Sequence, residues 1–519
     1  MPSTPSFLSY VPVELAFGTS GMRGLVADLT DLEAYISVKG AIAYLRRVGD
    51  IDAGTTVVLG GDLRPSTDRI LRACMQAILD GGEAIEYAGK LPTPALVLHG
   101  LAQKRAGVMV TGSHIPFDRN GIKVSRSVGE LLKSDEPGVL SEIARVRAEE
   151  YGKSADRSAF DAHGMLKRAP TLPEEDRAAQ ERYVRRYLDV FPAQLLRGLR
   201  IAFYQHSAVG RDLVPEILRG LGAEVIPVER SDTFVPIDTE AISETQLAQL
   251  HQIAARIDGP LDAIVSTDGD SDRPLMAAVS GEERRVRFLP GDLLGLVVAE
   301  WLRADAVAVP ISSNDAIDAR LAERGIALRK TRIGSPYVIA ALAALQQEGA
   351  GRVVGWEANG GFLTGSALEL PGGRLAALPT RDAVLPMVVN FAAAAALGLS
   401  LSALWDRLPA RFGRAGLLDD LPVQASRKIL AGLAAEPATT IPRFFPPALG
   451  FGELTSIDVL DGLRMYFDNG DIAHLRASGN APQLRIYANA SSQSRADQIV
   501  ADGLAEPNGI LRRLERAFT

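Results

Sequence analysis

Three aspartates alternate with small residues in Ser266-Thr267-Asp268-Gly269-Asp270-Ser271-Asp272-Arg273. They follow the apolar run Leu261 to Val265, which reads as a buried strand opening into a loop. Carboxylates at i, i+2 and i+4, with Gly and Ser between them, can curl round one hard divalent cation. An all-oxygen ligand set favours Mg²⁺ or Ca²⁺ over zinc. Arg273 adds a positive charge that metal binding does not need and an anionic substrate would. Read alone, the triplet fits a metal loop or a solvated acidic turn equally well. An EF-hand is excluded, because Arg273-Pro274 follows and no Glu stands at the twelfth loop position.

Four further polar loops carry side chains able to do chemistry. Phe17-Gly18-Thr19-Ser20-Gly21-Met22-Arg23-Gly24 combines glycines that permit close backbone approach with one arginine able to grip an anion. Thr111-Gly112-Ser113-His114-Ile115-Pro116 follows the strand Ala106 to Val110 and precedes Asn120-Gly121-Ile122-Lys123. Ser113 there is a candidate nucleophile, with His114 and Lys123 as candidate acid or base groups; a plain Ser/Thr turn with a surface histidine is the alternative. Gly355-Trp356-Glu357-Ala358-Asn359-Gly360-Gly361-Phe362 offers Glu357 and Asn359 to neighbouring sugar hydroxyls, or is an ordinary turn. Arg476-Ala477-Ser478-Gly479-Asn480-Ala481-Pro482-Gln483-Leu484-Arg485 reads as a phosphate cradle; a β-turn alone leaves its paired arginines unexplained.

The elements that must position these loops repeat. Strand, polar loop, helix, Gly and strand recur at Thr56 to Ile85, Leu199 to Val228 and Ala306 to Leu328. Apolar runs alternating with amphipathic helices signal parallel α/β sheets, and a glycine after each helix suits a left-handed cap. The last hundred residues differ. Short alternating segments at Ser456 to Leu460, Leu463 to Phe467 and Leu484 to Tyr487, then a helical end broken near Pro507-Asn508-Gly509, predict a small α+β domain. The fold class is therefore α/β: three related α/β domains with mixed or parallel sheets, plus a smaller C-terminal α+β domain. The boundaries fall at 1–170, 171–285, 286–410 and 411–519.

Composition bounds the function. A chain of 519 residues with 47% hydrophobic and 23% charged residues is an ordinary globular protein with more than one core. A net charge of −7 speaks against a nucleic-acid surface. The single cysteine, Cys74, excludes an internal disulfide framework and sits in a helical pattern as a buried apolar residue. Met1 to Glu14 shows no signal-peptide pattern. The apolar stretch Val384 to Trp405 is interrupted by Pro386, Asn390 and Gly398 and reads as a buried helix rather than a span. The charged stretch from Arg145 to Asp176 reads as surface linker and helix. These readings point to the cytoplasm, with no nucleic-acid or membrane partner.

Taken in this order, the five loops resemble the α-D-phosphohexomutase family, and the resemblance runs over nearly the whole chain. It implies an active site in a central cleft, with Ser113 as the phosphorylated serine and a ligand to Mg²⁺ alongside Asp268, Asp270 and Asp272. It makes His114, Lys123 and Arg23 catalytic groups near the transferring phosphate, and Arg273 a contact to substrate or phosphoserine. Glu357 and Asn359 would read sugar hydroxyls, while Arg476, Ser478, Gly479, Asn480 and Arg485 would hold the non-reacting phosphate. The implied reaction interconverts hexose 6-phosphate and hexose 1-phosphate through a hexose 1,6-bisphosphate that also serves as activator. Phosphomannomutase is the favoured assignment, phosphoglucomutase or dual specificity the alternative, and a non-catalytic phosphosugar-binding paralogue the alternative of another class. The enzyme is expected to be a monomer or homodimer. Ile115, Asn480-Ala481 and Gly361 depart from the family pattern, which has Asn, Thr-Glu and His there.

Overall fold

A computed structural model describes residues 7–18, 21–240, 242–478 and 482–519. Thr19, Ser20, Gly479, Asn480 and Ala481, assigned above to two of the loops, lie outside the described residues. The chain forms two compact units. One comprises Met1–Ala306 and Gly334–Leu404, the other Val307–Ile333 and Trp405–Thr519.

In the first unit, Thr56–Gly61 runs parallel to both Ala84–Lys90 and Gly107–Val110. The sheet turns antiparallel where Arg119–Arg126 pairs with Gly107–Val110 and then with Met22–Leu25. Val57, Leu59, Val108 and Val110 bury one face against Leu32, Ile36, Ile70, Leu71, Cys74 and Ile78 of the helices Asp31–Arg47 and Thr67–Gly81. Helices on the sheet explain why these strands read as continuous apolar runs. Cys74 is buried, as its helical pattern predicts.

A second sheet follows the order Arg285–Phe288, Pro274–Ser280, Ala263–Thr267, Arg200–His206 and Glu224–Arg230. Ala263–Thr267 is parallel to Arg200–His206 and antiparallel to Pro274–Ser280, with Thr267 paired to Pro274. Residues 268–273 are therefore a hairpin connection at the carboxyl end of a central strand, where α/β sheets place their ligands. Val353–Trp356, Phe362–Thr364 and Leu378–Asp382 form a further antiparallel set.

In the second unit, five antiparallel strands take the order Phe412–Leu418, Leu484–Ala490, Ile472–Ala477, Leu463–Phe467 and Leu454–Asp458. The helices Val423–Ala435, Gln493–Leu504 and Ile510–Phe518 share their core.

Sequence periodicity missed two of these five strands. Phe412–Leu418 is an exposed edge with glycines at 413 and 416, so it shows no alternation. Ile472–Ala477 is central and its first four residues are buried, which also removes the alternation. Two other expectations need correcting. Val384 to Trp405 is two helices, Val384–Ala396 and Leu401–Trp405, with Gly398 between them at φ +65°. The charged stretch after Arg145 is not all surface: Arg147 is buried and pairs with Glu33 at 2.6 Å. Among the described residues no helix is long and apolar enough to cross a membrane.

Candidate active site

Ser113 stands just past the end of Gly107–Val110, fully buried, with φ +54°. That left-handed backbone is uncommon for a residue with a side chain and has to be held by its surroundings. Arg64 does much of the holding. Its guanidinium donates to four carbonyls of the serine loop: Ser113 O at 2.8 Å, Ile115 O at 2.5 Å, Pro116 O at 2.7 Å and Arg119 O at 2.9 Å. Asp62 pairs with Arg64 at 3.2 Å and accepts from Thr67 and Thr111, and Thr111 Oγ1 in turn accepts from the Ser113 N–H. The result is a rigid loop that directs the serine hydroxyl at the aspartates.

The hydroxyl donates to Asp268 Oδ2 at 2.7 Å. The approach is close because residue 269 is glycine, where a Cβ would lie 2.5 Å from Ser113 O. Asp268, Asp270 and Asp272 each offer a carboxylate oxygen, all within 4.8 Å of one another, and all three residues are buried. Burial first, then Asp270 and Asp272, push the Asp268 carboxyl well above the usual range. Against the upward pull of burial, Lys123 and Thr93 hold Asp270 below it.

The donor set fits a hard divalent cation. One oxygen each of Asp270 and Asp272 is tied: Asp270 Oδ2 accepts from Lys123 at 2.6 Å and Thr93 at 2.5 Å, and Asp272 Oδ2 from Arg381 at 3.0 Å. Their Oδ1 atoms are buried and accept no hydrogen bond among the described residues. A buried carboxylate oxygen without a partner is costly, and an Mg²⁺ ion bound by Asp268, Asp270, Asp272 and a serine-borne oxygen would relieve that cost.

Four cations stand among the four carboxylates of this site, and three of them pair with those carboxylates. Lys123 bridges Asp270 and Asp272, while Arg273 lies 3.8 Å from Asp268 and 3.6 Å from Asp272. Arg381 joins Asp272 at 2.9 Å to Glu357 at 2.8 Å. Arg23, opposite Gly121 on the neighbouring strand, makes no ion pair among the described residues and is the cation left for an anionic ligand. His114 is neutral: burial, with Arg273 and Arg23 adding to it, pushes its imidazole down to about 2. Its Nδ1 accepts from Arg273 at 2.7 Å, so the ring proton belongs on Nε2. In the sugar loop, Asn359 gives its side-chain oxygen to the Gly361 N–H at 3.0 Å, which leaves the amide group to donate.

In the second unit, Arg476 and Arg485 are direct cross-strand partners in Ile472–Ala477 and Leu484–Ala490. Like charges placed opposite each other repel unless an anion or carboxylate intervenes. Asp461 holds Arg476 at 3.0 Å, and the Ser478 N–H donates to Gln483 O at 3.0 Å. Gly479 and Asn480 lie outside the described residues.

The structure thus gathers Ser113, His114, Lys123, Arg23, Arg273, Glu357, Asn359 and the three aspartates in the first unit. Sequence reasoning missed Asp62, Arg64, Thr93 and Arg381. Gly60-Gly61-Asp62 closes a strand as the other polar loops do, so Arg64 carried a signal. Arg381 lies within a strand and carried none. Arg381 also explains why Gly361 departs from the pattern. A Cβ at 361 would lie 2.6 Å from its Cγ and Cδ and 2.8 Å from its Cβ, so the arginine stem already fills that space.

Known proteins resemble this chain along nearly its whole length. Residues 14–150, 181–281 and 290–412 match α/β/α domains I, II and III of phosphoglucomutase/phosphomannomutase, and 419–505 match its C-terminal domain. A phosphomannomutase of Sinorhizobium fredii is 40% identical over 503 residues, covering 95% of this chain and 98% of its own. A putative phosphomannomutase structure from Thermus thermophilus superposes with TM-score 0.68 at 19% identity, covering 94% of this chain and 98% of that one. An N-acetylphosphoglucosamine mutase of Aspergillus fumigatus, solved with GlcNAc-6P and magnesium, gives TM-score 0.55 at 14% identity over 95% and 98% of the two chains. The chain belongs to the phosphoglucomutase/phosphomannomutase family.

Proposed function

We propose that the protein is a phosphohexomutase that moves a phosphoryl group between O1 and O6 of a hexose, with Ser113 as the carrier. The observation behind this reading is the 2.7 Å contact from Ser113 Oγ to Asp268 inside a trio of buried carboxylates. In the transfer, the bond from phosphorus to Ser113 Oγ breaks as a bond from phosphorus to a sugar hydroxyl oxygen forms. The hydroxyl proton ends on the serine, and a 1,6-bisphosphate results. The bisphosphate then returns its other phosphoryl group to Ser113 by the reverse step. Asp268, Asp270 and Asp272 would hold Mg²⁺, which would supply charge neutralisation at the transferring group; such neutralisation and positioning dominate phosphoryl-transfer catalysis.

On this reading Arg23 and Arg273 meet the transferring phosphoryl oxygens, and Lys123 fixes two of the metal-binding carboxylates. His114 presents a neutral ring beside the serine. Glu357 and Asn359 read sugar hydroxyls, and Arg476, Ser478, Gly479, Asn480 and Arg485 take the non-reacting phosphate. Residues 1–170, 171–285, 286–410 and 411–519 would carry the serine, metal, sugar and phosphate loops respectively. The favoured substrates are mannose phosphates, supported by the 40% identity to a phosphomannomutase along nearly the whole chain. Glucose phosphates are the alternative.

A coupled assay of mannose 1-phosphate, glucose 1-phosphate and glucosamine 1-phosphate, with Mg²⁺ and catalytic bisphosphate, tests the assignment. Turnover fastest with mannose 1-phosphate is expected. Intact-mass analysis should find one phosphate that Ser113→Ala removes. No turnover of any hexose phosphate would overturn the reading.

A further inference from the structure

Arg381 belongs to neither the metal loop nor the sugar loop, yet its side chain reaches both. It lies in Leu378–Asp382, is 2% exposed, and divides its guanidinium between two carboxylates. Nε and Nη2 meet Asp272 Oδ2 at 3.0 and 2.9 Å, while Nη1 donates to Glu357 Oε2 at 2.8 Å. The two carboxylates are unequally dependent on it. Asp272 Oδ2 also accepts from Lys123 at 3.2 Å. The Glu357 side chain has no other hydrogen-bond partner among the described residues.

The strand is itself anchored at the next residue. Asp382 accepts from Tyr183 at 2.7 Å and from Tyr187, both on the helix Ala178–Leu188, and from its own chain at Val384 N. The stem of Arg381 fills the space beside Gly361, whose backbone is not in the left-handed region. Glycine at 361 therefore answers to the arginine and not to a turn.

We propose that Arg381 is a positioning residue for sugar recognition: it holds one oxygen of Glu357 so that the other faces the hexose, and it ties that carboxylate to the metal loop. A planar fork suits this task better than lysine, whose ammonium is a point charge without separate N–H groups aimed in one plane at each carboxylate. The proposal rests on the mutase reading of the site.

Two variants disturb the contact from opposite sides. Arg381→Lys keeps a charge but loses the fork. Gly361→Ala keeps the arginine and displaces its stem. For each, KM and kcat with mannose 1-phosphate are measured beside two binding constants, mannose 1-phosphate by calorimetry and Mn²⁺ by electron paramagnetic resonance. Both variants should weaken sugar-phosphate binding and raise KM about tenfold, while Mn²⁺ affinity, secured through Lys123, changes less than threefold. A general structural defect would instead move both affinities together, and that result would overturn the proposal. So would sugar affinity within twofold of wild type in both variants. An inactive wild type would instead refute the mutase reading. If either variant does not fold, the other still decides the matter.

Discussion

Ser113 and Asp268 lie 155 positions apart, and the hydroxyl of one donates to the carboxylate of the other at 2.7 Å. The contact depends on a left-handed backbone at Ser113, φ +54°, that serine tolerates and a β-branched residue does not. Ser113→Thr keeps a hydroxyl yet should lose activity at least a hundredfold and of order 1–3 kcal/mol of stability. Steady-state rates and chemical denaturation check both; a threonine variant of near-normal activity would show that the strain is irrelevant.

Asp268 is the member of the trio least at ease without a cation, because burial and two like charges act on it together. Asp268→Asn should leave metal-free stability unchanged or raise it by about 1 kcal/mol while abolishing turnover. Wild type should gain about 2.7 kcal/mol from Mg²⁺ at a hundredfold excess over its Kd, and the variant almost nothing. Thermal melts with and without EDTA read the difference, and equal Mg²⁺ stabilisation of both proteins would contradict the ligand assignment.

Arg64 satisfies four carbonyls of the serine loop and the buried carboxylate of Asp62. Arg64→Met strands that carboxylate without a charge partner, at an expected loss of about 3–5 kcal/mol. Proteolysis should then cut between residues 112 and 120 before the chain unfolds globally. Intact melting behaviour with a protected loop would assign the holding role elsewhere.

His474 makes a pH prediction in the second unit. Its Nε2 donates to Asp461 O at 2.7 Å, and its Nδ1 is buried with no partner among the described residues. Burial lowers the imidazole from 6.5 to about 4, so between those values the unfolded chain binds a proton that the folded chain refuses. Its stabilising contribution is present above pH 6.5 and is lost as pH falls towards 4, a change of roughly 2–3 kcal/mol by pH 4.5. His474→Gln keeps a donor without titrating, so its unfolding free energy should fall less between pH 7 and 4.5. Parallel slopes for the two proteins would exclude His474 as the source.

Much of this site could be read from the chain because its chemistry sits in short loops at strand ends. Asp268, Asp270 and Asp272 fit a metal loop or an acidic turn equally well by spacing, and Ser113 a nucleophile or a plain turn by its place after an apolar run; only the order of all five loops favours the site. Arg381 carried no such signal, because its partners lie 109 and 24 positions away and only the fold brings them within reach. Edge and central strands failed for opposite reasons. Phe412–Leu418 has too little buried surface to impose alternation, and Ile472–Ala477 too much. The departure at Gly361 has no cause within its own loop, because the side chain that fills the space, Arg381, comes from another strand.

In the metal-free protein, the equal number of carboxylates and cations named at the site has a kinetic consequence. A cluster whose charges cancel within a few ångströms projects little field into solvent, and the chain as a whole carries −7. An anionic sugar phosphate is therefore not drawn in from a distance by this cluster; it is recognised on contact. Encounter with these groups should be diffusive and nearly indifferent to ionic strength, so discrimination falls to residence time once the ligand has arrived.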